Sequence, residues 1–252
     1  MNGFLIDEKA DGVILSYKAE AGLVDYIKKL NIDIIYSRKV NVDQRVADHP
    51  DLQIHPLDQE TFVASKDSYA YYKERLEPYG LKVLEAKTYL DKTYPKDCSL
   101  NVGRVKKYYL TNDKAIDSSL ERELKARGLE AIYVKQAYAK CSTIPINDFI
   151  ITSDIKIHRS LAKKQIKSYL IGYGHISLDG FDSGIIGGTC GMINQSQILF
   201  TGNIEKYKYY KELMNILEIE EIEALYPKDV DLVDLGSIIP LVYKKKEERW
   251  QI

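Results

Sequence analysis

The sequence predicts an α/β fold: a five-bladed α/β propeller of five ββαβ repeats around a pseudo-fivefold axis. The first observation is that four β-like runs end in a small hydroxyl residue followed by a polar helix cap, namely FVASKD (62–67), YYLTND (108–113), IITSD (150–154) and LFTGN (199–203). The second is that the hydrophobic period after each run changes from strand-like to helical. The third is a short apolar strand after each helix. A single unit cannot bury both faces of its sheet, so the copies must pack side by side.

Each repeat contains the same local signals. The expected helix N-caps are the four aligned polar residues Asp67, Asp113, Asp154 and Asn203, because their side-chain oxygens accept hydrogen bonds from free helix N–H groups. Glycine at a helix end favours the left-handed conformation, and Gly80 and Gly128 follow two of the helices. Another β-like run precedes the strand that leads into each helix cap, as in LQIHPL (52–57) and STIPI (142–146).

We expect one domain over residues 1–252, with repeats at about 1–40, 48–90, 97–136, 140–175 and 185–243. The first copy, at GVILSY (12–17), is the most divergent. The last segment, LGSIIPLVY (235–243), has no helical pattern, so we expect it to pair with the first copy and close the ring. The same elements would also fit an open two-layer α+β sandwich.

The composition excludes several classes of function. A net charge of −1 gives no basic footprint for nucleic acid or an anionic membrane. The N-terminus is too acidic for a signal peptide, and no apolar run approaches the roughly 18 residues of a membrane span. With three cysteines we expect a cytoplasmic protein with reduced thiols. No Walker or GxGxxG motif follows a strand, so we expect no nucleotide site and no cofactor. The ligand that we expect at the axis is a small molecule.

All three cysteines begin predicted first strands. Cys141 and Cys190 each lie 13 residues before their helix cap, and Cys98 lies 15 before its own. These offsets preserve side-chain parity, so we expect the three thiols to point toward the axis. Cysteine is also among the most frequently buried residue types, so three structural cysteines are the alternative.

Two further segments have the composition of a site. DHPDLQIH (48–55) places His49, Asp51, Gln53 and His55 on one face if it forms a regular strand. A histidine beside a carboxylate can transfer protons, although this motif also fits a turn entering a strand. GHISLDGFDSGIIGGTCG (174–191) has six glycines, which permit close approach of a ligand to the backbone. Within it, His175 and Asp179 are spaced to face one cavity.

The repeats over nearly the whole chain resemble the pentein fold of the guanidine-modifying enzymes, and the motifs HPDLQIH (49–55) and GFDSGIIGG (180–188) resemble those of one bacterial family with that fold. These enzymes are arginine and agmatine deiminases, amidinotransferases and dimethylarginine hydrolases. The chain is most similar to that bacterial family, which is common in clostridia and assigned to this fold. In the enzymes a nucleophilic cysteine follows a glycine cluster, and the resemblance carries this role to Cys190 in IIGGTCGMI (185–193).

The chain departs from the enzymes at other positions. Their general-base histidine comes from the first strand of the preceding unit, where this chain has Cys141 and Ser142. Their guanidinium-binding acids come from earlier units, where Asp51 matches but the third copy offers Cys98 and Asn101. The resemblance therefore leaves open whether the chain is an enzyme.

Three functions follow from these observations. The first is an axial small-molecule site with cysteine-dependent chemistry on a guanidine- or amidine-like compound, as in a hydrolase or amidinotransferase. The others are a binding or scaffold protein without chemistry, and a Cys/His metal-binding protein. For the first, the expected catalytic residues are Cys190, His175 and His49. The expected substrate-binding residues are Asp51, Gln53, Asn101, Cys141, Ser142 and Asp179.

Overall fold

The computed structural model describes residues 2–244, and these form five three-stranded sheets. The chain runs through the strands in the order β1 (Gly12–Leu15), β2 (Asp33–Tyr36), β3 (Ile54–Pro56), β4 (Thr61–Ala64), β5 (Lys82–Glu85), β6 (Gly103–Val105), β7 (Tyr108–Thr111), β8 (Glu130–Tyr133), β9 (Thr143–Ile146), β10 (Phe149–Thr152), β11 (Ser168–Leu170), β12 (Cys190–Met192), β13 (Gln197–Phe200), β14 (Glu223–Leu225) and β15 (Ile239–Leu241). The sheets are β15-β1-β2, β3-β4-β5, β6-β7-β8, β9-β10-β11 and β12-β13-β14.

Every sheet has the same topology. The first strand is antiparallel to the middle strand, and the third is parallel to it. A helical segment connects the middle and third strands in each case, as a parallel connection requires. The first sheet takes its first strand from the end of the chain, because Gly12 in β1 pairs with Leu241 in β15. The five-repeat α/β fold and the pairing of the last segment with the first copy are therefore confirmed.

The helices are α1 (Ala21–Lys29), α2 (Pro50–Gln53), α3 (Tyr69–Leu76), α4 (Ser118–Ala126), α5 (Ile155–Ala162) and α6 (Tyr210–Ile219). Asp154 caps α5 as predicted, because its side chain accepts from the N–H groups of Lys156 and Ile157. Asn203 caps a 3₁₀ turn that precedes α6.

Two of the predicted caps are wrong. Asp117 caps α4 in place of Asp113, because the chain makes an extra turn before this helix. Ser68 occupies the N-cap position of α3 without a side-chain hydrogen bond, whereas the Asp67 carboxylate accepts from Leu90 N. Gly80 and Gly128 adopt φ values of +78° and +75°, as expected after a helix.

The core lies between the helices and sheets and between neighbouring sheets. Leu23 and Ile27 of α1 pack in one cluster with Val13 and Leu15 of β1. The inner strand β12 contacts both β9 and β15, and β6 contacts β9. These contacts bring the first strands of neighbouring sheets together, which places the side chains before them near one another. In residues 2–244, no helix has the length and apolar character needed to cross a bilayer.

The prediction that the three cysteines share one strand position is wrong. Cys190 pairs with Phe200 in the last sheet, and Ile144 pairs with Ile151 in the sheet before it. Phe200 in β13 and Ile151 in β10 hold equivalent positions, because each directly precedes the threonine that ends the β run of its middle strand. Their strand partners, Cys190 and Ile144, are therefore also equivalent. Cys141 lies three residues earlier, in the turn before β9, so its thiol does not occupy the strand position of Cys190. Counting back from the helix caps failed because the two hairpins differ in length.

Candidate functional site

The segment 48–55 is not the regular strand that would put four polar side chains on one face. Pro50 starts the single-turn helix α2, which covers Asp51 and Gln53 before β3 begins. Proline suits this position because its fixed φ matches the helix and its missing N–H is not needed there. The helical turn separates His49 and Asp51 from His55, whose Nδ1 lies 3.2 Å from the Leu100 carbonyl oxygen.

The turn brings Asp51 against His49 and Cys141 from a distant repeat. The Cys141 thiol donates to Asp51 Oδ2 at 3.0 Å. One ligand atom from each of the three side chains lies within 4.8 Å of the other two, and all three residues are buried. Among residues 2–244, neither Asp51 Oδ1 nor His49 Nε2 has a hydrogen-bond partner. Buried polar atoms are usually paired, so two orphans in one cluster indicate a ligand site.

Two residues that the sequence did not single out support this cluster. Ser237 Oγ lies 2.6 Å from Asp51 Oδ2, and the ammonium group of Lys140 donates to Ser237 Oγ at 2.8 Å. Lys140 also donates to the carbonyl oxygen of Gly187 at 3.0 Å and is 2% exposed. Ser237 adopts φ +75°, which is rare for a residue with a side chain. A buried lysine thus reaches the Asp51 carboxylate through one hydroxyl group.

Asp234 holds the other side of His49. The Asp234 carboxylate accepts from the backbone N–H groups of Ile185 and Gly236, and it lies 4.0 Å from His49 Nδ1. A Cβ atom at Gly188 would lie 1.9 Å from Asp234 Oδ1, and one at Gly236 would lie 2.3 Å from the His49 Cβ. These glycines therefore permit the close packing of backbone against the site.

The electrostatics keep the thiol protonated in the free protein. Burial is the largest cause that raises the pKa of Cys141 well above its usual value, and the adjacent Asp51 carboxylate raises it further. Burial also raises the pKa of Asp51, opposed by the charges of His49 and Lys140 and by hydrogen bonds from Cys141 and Ser237. A cation bound beside both groups would lower both pKa values, because it favours their charged forms.

Two cavities meet at His49, Leu178 and Asp234. The first, here called the cysteine cavity, has a volume of about 150 Å³ and includes Cys141 and Tyr138 in its lining. The second, here called the acidic cavity, has a volume of about 160 Å³. Its lining includes the carboxylates of Glu20, Asp48, Asp179, Asp231 and Asp234. Asp51 is not part of either lining, but its carboxylate is hydrogen-bonded to Cys141, which lines the cysteine cavity.

The other two cysteines lie apart from this cluster. Cys190 packs among apolar residues of the last two sheets, where burial raises its pKa to about 12. The only space that it lines among the cavities described is one of about 10 Å³ beside Lys140 and Phe4. The Cys98 thiol donates to Asp97, which also accepts from the Tyr138 hydroxyl at 2.5 Å. Burial raises the pKa of Cys98 as well.

The remaining predicted site residues divide into two groups. Asn101 positions the thiol, because its side chain accepts from Cys141 N and donates to Cys141 Sγ at 3.2 Å. Asp179 lines the acidic cavity next to His49. Gln53, Ser142 and His175 do not join the cluster. The amide of Gln53 is occupied by Arg38, Ala47 and Tyr72. Ser142 lines a surface depression that shares Tyr173 and Ile185 with the cysteine cavity. His175 is exposed beside Tyr209.

The chain has the pentein fold, which it shares with several solved structures of guanidine-modifying enzymes. An amidinotransferase, SxtG, from the saxitoxin biosynthetic pathway of Microseira wollei aligns with a TM-score of 0.61 at 8% identity, covering 97% of this chain and 98% of that one. A putative peptidyl-arginine deiminase aligns with a TM-score of 0.57 at 10% identity, covering 96% and 98%. The C. jejuni agmatine deiminase aligns at 0.54 and 10%, covering 94% of each chain.

The chain belongs to a family of unknown function, DUF6873, whose model matches residues 14–239. A search of curated proteins found no match. At these low identities the structural neighbours establish the fold, and the chemistry has to be argued from the site.

Proposed function

We propose that this protein binds a small guanidinium or amidinium cation in the cysteine cavity and that Cys141 attacks its central carbon. The observation that carries the proposal is the cluster of His49, Asp51 and Cys141, with an orphaned buried oxygen on Asp51 and an orphaned nitrogen on His49. Asp51 Oδ1 would accept a hydrogen bond from the cation. The thiol is the nucleophile within reach, and His49 lines the same cavity. We therefore assign the role of nucleophile to Cys141, and Cys190 is the control cysteine in the labelling experiment.

The bound cation would activate the thiol. In the free protein, burial and the adjacent Asp51 carboxylate raise the pKa of Cys141, so the thiol carries its proton. A bound cation stabilises the thiolate while Asp51 stays ionised to hold that cation, and the thiol proton can then pass to His49, whose ring nitrogen lies within 4.8 Å of the Cys141 sulfur. The nucleophile is therefore formed when a substrate of the correct charge is present.

The proposed reaction is a hydrolysis of the bond between the central carbon and the leaving nitrogen. The Cys141 thiolate forms a C–S bond to the central carbon, the bond from that carbon to the leaving nitrogen breaks, and His49 passes the proton it took from the thiol to the amine. Water then adds to the same carbon while His49 takes one proton from it, and the C–S bond breaks. Cys141 then recovers a proton from His49. From a guanidine, the products are urea and an amine. The second proton of the added water passes to the amine.

A matched pair of alkylating reagents tests this proposal. Chloroacetamidine is a cation and chloroacetamide is its neutral counterpart, so their rates report recognition of charge at the thiol. We expect chloroacetamidine to label Cys141 at least ten-fold faster at neutral pH, with the site identified by peptide mass spectrometry. Cys141→Ser should remove the labelling, whereas the control Cys190→Ser should retain it. Equal rates for the two reagents, or labelling of Cys190 alone, would refute the proposal.

A metal site is the second candidate, because the same three side chains are a suitable set of zinc ligands. One imidazole, one thiolate and one carboxylate leave the fourth tetrahedral position open, as in catalytic zinc sites. Protein purified without chelator and dialysed against zinc would then retain one equivalent, and Cys141→Ser would lose it. Retention of less than a tenth of an equivalent would exclude this candidate and leave the guanidine proposal intact.

A further inference from the structure

We propose, on the basis of the proposed function, that the substrate has an uncharged, apolar tail and no carboxylate. The wall of the cysteine cavity is made chiefly of apolar and aromatic side chains, which are Val46, Tyr138, Tyr173, Leu178, Phe181 and Ile185. No lysine or arginine of residues 2–244 belongs to that lining. A carboxylate tail of the kind found in an amino acid would therefore meet no cation within the cavity.

Two cations, Lys18 and Arg45, border the acidic cavity, and each already has a carboxylate partner. Lys18 Nζ lies 2.7 Å from the Asp48 carboxylate. Arg45 donates to both oxygens of Asp43 and to the Gly180 carbonyl oxygen, and its guanidinium lies 3.9 Å from the centre of the Phe181 ring. The charge of each cation is therefore already partly neutralised by a neighbouring carboxylate.

The charges that face the junction of the cavities would also repel an anion. Asp234 lines both cavities, and Asp179 lines the acidic cavity beside it. Like charges placed together in a partly enclosed site cost affinity. These carboxylates instead favour the positive end of the substrate, so charge selects the head and disfavours an anionic tail.

Two aromatic side chains of the wall are partly uncovered. Tyr173 is 61% exposed and Phe181 is 42% exposed, although both belong to the lining of the cysteine cavity. An alkyl or aryl tail would cover this apolar surface, and each buried methylene strengthens binding about four-fold. The volume of about 150 Å³ is small for a ligand pocket, which commonly has about 300–1,000 Å³. The substrate is therefore a short alkyl- or arylguanidine, or the matching amidine.

Three ligands of stepwise chemistry test this inference by isothermal titration calorimetry on the full chain. Methylguanidine carries the head alone, n-butylguanidine adds an apolar tail, and 4-guanidinobutyrate carries a carboxylate in place of the terminal methyl group. We expect n-butylguanidine to bind at least ten-fold tighter than either of the others. Equal affinities for n-butylguanidine and 4-guanidinobutyrate, or a preference for the carboxylate, would overturn the inference while leaving the proposed function standing. Failure of all three to bind would overturn both.

A substitution at the mouth of the cavity tests the same point from the side of the protein. Phe181→Lys introduces a cation and removes an aromatic wall, so the preference for n-butylguanidine over 4-guanidinobutyrate should fall at least five-fold. Phe181→Leu is the matched control and should keep most of the preference. Because Phe181 is partly exposed, both variants should fold, which circular dichroism can check. An unchanged preference in Phe181→Lys would contradict the assignment of this wall to the tail.

Discussion

Replacing Asp51 with asparagine removes the negative charge that would hold the cation while keeping the shape of the side chain. Asp51 Oδ2 already accepts from Ser237 and Cys141, so only Oδ1 is available to a ligand. One hydrogen bond to a charged group contributes about 1.5–3 kcal/mol. Since about 1.4 kcal/mol corresponds to a factor of ten in Kd, Asp51→Asn should weaken binding of n-butylguanidine by about 10- to 150-fold.

Calorimetric titration at pH 7.5 measures this change directly. Asp117→Asn is a matched control, because Asp117 is equally buried and caps α4, where asparagine caps as well. The control should bind like the unmodified protein. The reasoning is refuted if folded Asp51→Asn binds n-butylguanidine within a factor of two of the unmodified protein. A pH series adds a second check. The pKa of Asp51 is raised mainly by burial, so affinity should fall as pH decreases and the carboxylate takes up a proton.

The remaining predictions concern stability and are tested by urea unfolding. Burial, with the nearby Arg104 charge, lowers the pKa of His55 well below 6.5. Below about pH 6.5 only the unfolded state takes up this proton, so the free energy of unfolding should fall by up to about 1.4 kcal/mol per pH unit. His55→Gln should lose this pH dependence. Equal pH dependence in the variant and the unmodified protein would contradict a buried, neutral histidine. Asp117→Ala should cost about 1–2 kcal/mol and Asp113→Ala less than about 0.5, because the side chain of Asp117 accepts the N–H groups of α4. Equal losses would mean that Asp117 does not cap the helix.

The repeats could be predicted because their signals are local. A strand, a cap and a helical period follow one another within each unit, as in the segment that ends at Asp154 and continues into α5. The pairing of β15 with β1 was also predictable, since the last segment had strand character and no helix of its own. Where prediction failed locally, the cause was a short insertion. The turn after Asp113 moved the cap of α4 to Asp117.

The site was harder to predict because its residues meet only in the folded chain. Asp51 and His49 were selected correctly as neighbours, but Pro50 turned the segment into a helix and separated them from His55. Lys140 and Ser237 are 97 residues apart, and neither lies in a motif that indicates a buried hydrogen bond. A periodic pattern reports which face a residue occupies within one element and carries no distance between two repeats.

A crystal structure of the protein with n-butylguanidine would test the central claim most directly. We predict a planar head group with a nitrogen within hydrogen-bond distance of Asp51 Oδ1 and its central carbon about 3–3.5 Å from the thiol of Cys141, as an attack geometry requires. The butyl chain should lie against Tyr173 and Phe181. A ligand bound outside the cysteine cavity at saturating concentration, or a cavity without ligand, would contradict the account.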